Sequence, residues 1–344
     1  MAELISAEQF LVRAATIPVI DVRAPSEYEK GHIPGAFSIP LFDDRERKIV
    51  GTKYKQINRE AATLAALDFT GKKMADLARE GMKKAGGKRE LLVHCWRGGM
   101  RSKSMTWLFE TLDLTCYLLE GGYKAYRRYV RETLGIPRNL HVIGGRTGSG
   151  KTEILHHLKK EGEQIIDLEG LANHKGSAFG SLGEATQPTT EQFENDLHKQ
   201  VIRLDPERVT WIEDESRNVG RCVIPYVFFQ QMLENEALFL DIPRESRVRY
   251  LVKHYASYDP QELKKCILKI RKRLGGDRTT EALESVDRGD FYNAVMITLH
   301  YYDKSYMYSL EKNHPQYRVI PSDTVDAVKN AQLLRRHIQT GYEA

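Results

Sequence analysis

The apolar run Leu140-His141-Val142-Ile143 leads directly into Gly145-Arg146-Thr147-Gly148-Ser149-Gly150-Lys151-Thr152, a complete G-x-x-x-x-G-K-T pattern. This order predicts a strand, a tight glycine-rich loop and a helix. Glycines at 145, 148 and 150 let backbone N–H groups converge on an anion, Lys151 adds a point charge, and Thr152 at the helix N-terminus can reach a magnesium ion. Gly145, Thr147, Gly148, Ser149, Gly150, Lys151 and Thr152 are therefore the expected contacts to a diphosphate group.

Further strands are expected at Gln164–Leu168, Arg208–Asp214, Ala237–Pro243 and Tyr317–Ile320, with helical stretches between them. Five such strands suit a parallel sheet of the phosphate-loop NTPase kind. Residues 244–312 read as almost wholly helical, basic and aromatic. The acidic stretch Glu213-Asp214-Glu215 follows one predicted strand, where a magnesium-associated carboxylate would sit. Asp214 or Glu213 is the candidate and Asp167, at the end of another strand, the competitor; a surface acidic cluster is the plainer alternative. The polar, glycine-rich segment Asn173–Gly180 reads as a lid or substrate loop, with an ordinary surface loop as the plainer alternative and His174 and Lys175 as candidate residues.

The N-terminal part carries a different loop. Pro18–Val22, Glu90–His94 and Thr115–Leu119 are apolar runs of the buried parallel-strand type, and Arg59–Ala85 reads as a helical insertion or crossover. The run Glu90–His94 ends in Cys95-Trp96-Arg97-Gly98-Gly99-Met100-Arg101-Ser102. A strand-end cysteine followed by glycines and flanked by arginines is arranged to favour the thiolate, which is the nucleophile. Cys95 is the expected catalytic residue, and Arg97, Gly98, Gly99 and Arg101 the expected anion cradle. Gly135-Ile136-Pro137 punctuates the chain, giving expected domains of 1–135 and 136–344.

A length of 344 residues, 41% hydrophobic, supplies a core for each of two domains. The chain starts without a basic region and apolar stretch, and its four cysteines have neither zinc spacing nor a need for stapling, so a reducing cytoplasm and no membrane are expected. A net charge of +5 says little about partners, but its distribution says more. Tyr123–Arg131 interleaves aromatic and basic side chains, and Lys264–Arg273 reads as one dense basic helix. Tyr123, Lys124, Arg127, Arg128, Lys264, Lys265, Arg271 and Arg273 are the candidates for pairing with phosphates and stacking on bases, against the plainer reading of solvated helix faces.

Two resemblances sharpen these expectations. Over roughly residues 5 to 130 the chain resembles the rhodanese family, through the Cys95 loop and through Ile20-Asp21-Val22-Arg23 with Glu27 and Gly31-His32-Ile33-Pro34-Gly35-Ala36. Asp21 and Arg23 are expected to order the loop rather than to react. Five residues separate Cys95 from Arg101, one more than in the commonest sulfur-transferring members, and His94-Cys95-x5-Arg101 is also the spacing of related cysteine phosphatases. A longer loop has room for a tetrahedral oxyanion. The fold class is accordingly α/β: an N-terminal rhodanese-like parallel-sheet domain, then a P-loop NTPase-like domain with a helical basic extension.

The whole chain, with the two loops in this order, resembles the bacterial tRNA 2-selenouridine synthase family. The match also runs through Leu119–Arg127, Gly176–Gly180 and Glu213–Arg217. The resemblance implies conversion of wobble 2-thiouridine in tRNA to 2-selenouridine, with selenophosphate from a separate supplier and geranyl diphosphate as the source of an S-geranyl intermediate. It implies no tightly bound cofactor, with magnesium as a candidate metal. Two other classes stand beside it: a cysteine phosphatase with a fused phosphate-loop module, and a phosphate-loop kinase with a sulfurtransferase domain.

Overall fold

The computed structural model describes residues 2–340. The chain forms two compact units, divided between Thr133 and Leu134.

Unit 1 is built on β1 (Glu3–Ile5), β2 (Val19–Asp21), β3 (Phe37–Ser38), β4 (Glu90–His94) and β5 (Thr115–Leu119). They form a parallel sheet in the order β1-β5-β4-β2-β3. Its helices are α1 (Ala7–Arg13), α2 (Pro25–Lys30), α3 (Asp44–Gln56), α4 (Arg59–Thr70), α5 (Met74–Ala85), α6 (Met100–Glu110) and α7 (Gly122–Leu134). Leu91, Leu92 and Val93 on central β4 have no exposure, because both faces of a parallel sheet are covered; hence the run is continuously apolar rather than alternating. Helix starts follow local chemistry: Ser6 with Gln9, and Asp43 with Glu46, close capping boxes on α1 and α3. In α7, Tyr123, Tyr126 and Val130 recur at helical spacing and are buried, while Lys124 and Arg128 face outward.

Unit 2 contains β6 (Leu140–Gly145), β7 (Gln164–Ile166), β8 (Thr210–Glu213), β9 (Asn218–Val219), β10 (Cys222–Val223), β11 (Ala237–Asp241) and β12 (Arg318–Pro321). Five of these form a parallel sheet ordered β12-β11-β6-β8-β7, and β9 pairs antiparallel with β10. Its helices are α8 (Lys151–Lys160), α9 (Leu168–Ala172), α10 (Thr190–Val201), α11 (Tyr226–Glu234), α12 (Arg244–Tyr255), α13 (Pro260–Lys269), α14 (Arg271–Leu274), α15 (Gly276–Asp287), α16 (Phe291–Asn313) and α17 (Ala327–Thr340). The ends of β6 and β8 stand side by side, so the glycine loop and the acidic segment meet at one edge, where ligands of open α/β sheets bind.

The expected single basic helix at Lys264–Arg273 is two helices. Buried Ile270 ends α13, donating its N–H to Ile267 O at 3.1 Å, and its side chain joins Ile267, Leu274 and Ala282 in the helical core. Basic side chains on either side of the break therefore do not form one continuous stripe. No helix among the described residues is long and apolar enough to cross a membrane.

Candidate functional site

Cys95 follows β4 at the sheet end and is 3% exposed. Its Sγ lies 3.2 Å from Ser102 Oγ, and that hydroxyl donates to Gly99 O at 3.1 Å, which leaves the thiol as donor to Ser102. Ser102 thus holds its hydroxyl within hydrogen-bonding distance of the sulfur. Ser102 stood in the motif without a role; its place one turn into α6 was the available signal.

Arg101 does not reach for the sulfur. Its guanidinium donates to Glu27 at 2.7 Å, and Arg47 pairs with the same carboxylate at 3.5 Å. Burial works against ionising Glu27, but Arg101 outweighs it and holds the carboxyl below the usual range. This position also weakens the phosphatase reading, in which the arginine would hold the phosphoryl group. Arg97 is exposed on the loop.

The loop backbone is clamped by the start of α7. Tyr123 N–H donates to Cys95 O at 2.8 Å and Lys124 N–H to Trp96 O at 3.0 Å. Gly98 and Gly122 have φ of +67° and +60°, and a Cβ on Gly122 would lie 2.5 Å from Gly98 N.

Beneath the loop, Arg23 is fully buried. It donates to Asp21 at 2.6 Å and to Gly31 O at 2.7 Å, and its guanidinium carbon sits 3.7 Å from the Tyr123 ring centroid. Burial pushes the His94 ring down to about 4 despite Asp21 3.7 Å away, so the histidine next to Cys95 is neutral at pH 7. Asp21 and Arg23 thus form a buried ion pair that packs on Tyr123 and faces His94. Tyr123, expected to stack on bases, is instead completely buried against Arg23, so its ring is closed to nucleic acid.

In unit 2, Gly148 and Gly150 take φ of +82° and +73°, and a Cβ on Gly148 would lie 2.8 Å from the Leu251 side chain. Lys151 Nζ donates to Gly145 O at 3.0 Å, closing the loop on itself. Buried Arg247 donates to Thr147 O at 3.0 Å and is held by Asp303 at 2.8 and 2.9 Å. Ser149 is 1% exposed within the turn.

The carboxylates differ from expectation. Thr152 Oγ1 donates to Glu169 at 2.9 Å and to Glu213 at 3.3 Å, and Glu169 N–H donates to Glu213 at 3.0 Å. Glu169, Glu213 and Glu215 bring carboxylate oxygens within 4.8 Å of one another. Burial raises all three; repulsion from Glu169 adds to it at Glu213 and at Glu215, which rises to about 8, and repulsion from Asp167 adds to it at Glu169. Three crowded carboxylates beside a threonine hydroxyl are an oxygen donor set suited to a hard divalent cation.

Of the sequence candidates, only Glu213 belongs to this cluster. Asp214 accepts from Tyr306 Oη at 2.7 Å and faces His314 at 3.4 Å, while Asp167 caps α9 through Gly170 N–H at 2.7 Å and bonds His156 at 2.7 Å. Both are turned away by their own partners. The polar loop meets the cluster at Gly176, where a Cβ would lie 2.8 Å from Glu215 and 2.9 Å from Glu169. Lys175 is paired with Glu184 at 2.8 Å, and burial lowers His174.

These groups line a cleft of about 600 Å³ that also presents Tyr250, Tyr255, Tyr258, Tyr301, Tyr302 and Tyr306. Tyr306 Oη accepts from Gly145 N–H at 2.8 Å, tying α16 to the phosphate loop. Next to the cleft lies an apolar cavity of about 40 Å³, with Leu251, Leu263, Ile267 and Phe291 in its walls; Thr147, Ser177, Leu251, Tyr255 and Tyr302 border both spaces.

The basic candidates are dispersed. Lys124 and Arg128 are exposed on α7 and Arg127 half-buried; Arg128 has a weak surface contact to Glu132 at 3.9 Å. Lys264 pairs with Asp287 at 2.7 Å and Lys265 with Glu262 at 2.6 Å, so their charges are locally matched. Arg271 is exposed, and Arg273 donates to Tyr301 at 2.9 Å at the edge of the tyrosine cleft.

Residues 138–339 match the tRNA 2-selenouridine synthase AAA domain, and residues 6–129 match the rhodanese-like domain. The chain is 36% identical to the tRNA 2-selenouridine synthase of Hydrogenovibrio crunogenus, covering 91% of this chain and 94% of that protein. The tRNA 2-selenouridine synthases of Nitrosomonas europaea and Shewanella frigidimarina are 31% and 34% identical, covering 87% and 88% of this chain and 90% of each relative.

Proposed function

Because this chain belongs to the tRNA 2-selenouridine synthase family, we propose that it replaces the sulfur of wobble 2-thiouridine in tRNA by selenium, through an S-geranyl intermediate. That it is a tRNA-modifying enzyme follows from its relatives. The donor and the prenyl group are our reading of the two loops' chemistry, and the wobble position comes from the resemblance.

The observation that carries this reading is the meeting, in unit 2, of a phosphate loop, an oxygen-rich cluster and an apolar cavity around shared residues. A diphosphate ester with a hydrocarbon tail matches that combination, whereas a nucleoside would leave the apolar walls unfilled. The diphosphate of geranyl diphosphate would lie on Gly148–Thr152, with Lys151 leaving Gly145 O to meet it. The tail would run past Leu251 and Tyr255 into the cavity, which must widen to admit ten carbons. The thiocarbonyl sulfur of the uridine attacks the allylic carbon, the carbon–oxygen bond breaks, and diphosphate leaves into the loop. When bound at Thr152 and the three glutamates, a divalent cation supplies charge neutralisation for that leaving group.

Alkylation makes the sulfur a leaving group. Selenium of selenophosphate then attacks the base carbon, geranyl thiol departs, and hydrolysis of the selenium–phosphorus bond yields 2-selenouridine and phosphate. The Cys95 loop is the proposed donor site: Arg97, Gly98, Gly99 and the α6 N-terminus offer N–H groups and positive charge to the phosphoryl end, with Cys95 and Ser102 at the selenium end.

The test is mass spectrometry of nucleosides from 2-thiouridine tRNA incubated with protein, geranyl diphosphate and selenophosphate. Selenouridine is expected with the unaltered protein, S-geranyl-2-thiouridine accumulating with Cys95→Ser, and neither product with Lys151→Ala. Full selenation by Cys95→Ser would remove the loop from the reaction, and geranylation by Lys151→Ala would remove the phosphate loop.

A further inference from the structure

A second and larger cleft, of about 1240 Å³, borders the phosphate loop on the side of Arg146. Its floor is the ends of β11 and β12 at Asp241 and Pro321, and its walls come from the start of α12, from α16 and from α17. No step of the selenation chemistry uses this space. Cationic side chains outnumber carboxylates in its lining by two to one. Asp241 is taken by Arg146, and Asp303 is shared by Arg244 and Arg247. Lys304 on α16 and Lys329 on α17 are exposed and have no carboxylate partner among the described residues. Arg336 follows Lys329 two helical turns along α17 and lines the same cleft.

The form of this charge identifies its ligand. The cations are distributed over four elements along an open cleft rather than aimed at one point, which suits a run of phosphodiesters better than a single phosphate. The lining contains no Tyr, Phe or Trp, and His300 is its one aromatic ring, so it is poor in stacking platforms for bases. The neighbouring cleft has the opposite character, with six tyrosines around the phosphate loop. The two clefts meet at consecutive residues of the phosphate loop: Arg146 lines the basic cleft and Thr147 the tyrosine cleft. A strand whose backbone runs along the first can therefore turn one base into the second.

We propose that the cleft between α12, α16 and α17 holds the sugar-phosphate backbone of the RNA substrate, next to the nucleotide being modified. This rests on the tRNA-modifying reading of the phosphate-loop cleft. It moves the main RNA contact away from Lys264 and Lys265, whose charges are already matched.

The experiment uses the full chain and a fluorescein-labelled anticodon stem-loop RNA carrying 2-thiouridine, with binding followed by anisotropy from 0.05 to 0.3 M salt. Lys304→Ala with Lys329→Ala is expected to weaken binding roughly tenfold at 0.1 M salt and to lower the slope of log K against log salt by about two, one per lost phosphate contact. Geranyl diphosphate affinity, measured by calorimetry, is expected to stay unchanged, because neither lysine lines the phosphate-loop cleft. Unchanged affinity and slope in a double variant with unaltered melting temperature would overturn the assignment. So would displacement of RNA by tripolyphosphate in the unaltered protein but not in the variant, which would mark a small-polyphosphate site. If the unaltered protein bound no RNA, the tRNA-modifying reading itself would fall with it.

Discussion

Gly122→Ala isolates the contribution of the Cys95 loop's shape. Gly122 has φ +60°, where an L-residue is strained by roughly 1 to 2 kcal/mol. Sterics add to this. The new Cβ would stand 2.5 Å from Gly98 N and 2.8 Å from Arg97 N, closer still to Cys95 O, and ordinary contact begins at 3.4 Å. All three are backbone atoms, so no side-chain rotation relieves the overlap and the loop must move by about 1 Å. A displacement of about 1 Å at a reacting group is worth roughly 10²-fold in rate. The same movement stretches the bonds from Tyr123 N–H and Lys124 N–H that clamp the loop.

Single-turnover nucleoside analysis reads the two steps separately. Gly122→Ala is expected to slow conversion of S-geranyl-2-thiouridine to selenouridine about 10²-fold while geranylation on unit 2 stays within a factor of about two of normal. Gly87→Ala is the control in the same unit, because a Cβ there meets nothing within 4 Å, its φ is not positive and it lies outside the Cys95 loop. The reasoning is refuted if Gly122→Ala selenates at the normal rate, or if Gly87→Ala is equally impaired.

Two further outcomes follow from the geometry. Glu213→Gln keeps an oxygen to accept Glu169 N–H but replaces a carboxylate that can ionise on a cation by a neutral amide beside Thr152, so magnesium affinity measured by calorimetry with geranyl diphosphate present should fall by more than about tenfold; an unchanged affinity would return the site to Asp214 or Asp167. Since burial lowers His94 to about 4 from an ordinary 6.5, the unfolded chain binds the extra proton between those values. The stabilisation is therefore complete above pH 6.5 and lost as pH falls toward 4, by an amount on the order of 3 kcal/mol. The melting temperature of His94→Gln should accordingly decline less than that of the unaltered protein between pH 7 and pH 4.5, and parallel declines would contradict the assignment.

Much of the fold was legible because its signals are local. Glu90–His94 and Thr115–Leu119 coincide with β4 and β5, since fully covered parallel strands must be apolar throughout. The two loops were legible for a related reason: Gly98, Gly148 and Gly150 occupy positive φ, and glycine is the residue that such backbone turns demand. Misreadings arose where burial, rather than residue type, decides. Tyr123 and Lys124 are neighbours in an aromatic-basic stretch, yet the helix turns one into the core under Arg23 and the other to solvent. Ile270 lies inside the basic stretch Lys264–Arg273, yet it is buried in the helical core and sits at the junction of α13 and α14.

The carboxylate cluster shows what local reading misses. Glu169 and Glu213 are far apart in sequence and meet only because β8 lies between β6 and β7, which brings the start of α9 against the end of β8. Thr152 then fixes which carboxylates face the phosphate loop, and Tyr306, donated by α16, draws Asp214 away to its own hydroxyl. Asp214 and Glu213 are adjacent, and side chains of adjacent residues on a strand point to opposite sides, so the end of β8 can serve the oxygen cluster with one and the tie to α16 with the other. The tie is functional in consequence: Tyr306 also receives Gly145 N–H, so any shift of α16 is felt at the first residue of the phosphate loop. The helix that carries Lys304 is thereby tied, through Tyr306, to the loop that would hold the leaving diphosphate, so the proposed RNA backbone contacts on α16 would bear on the geometry of transfer.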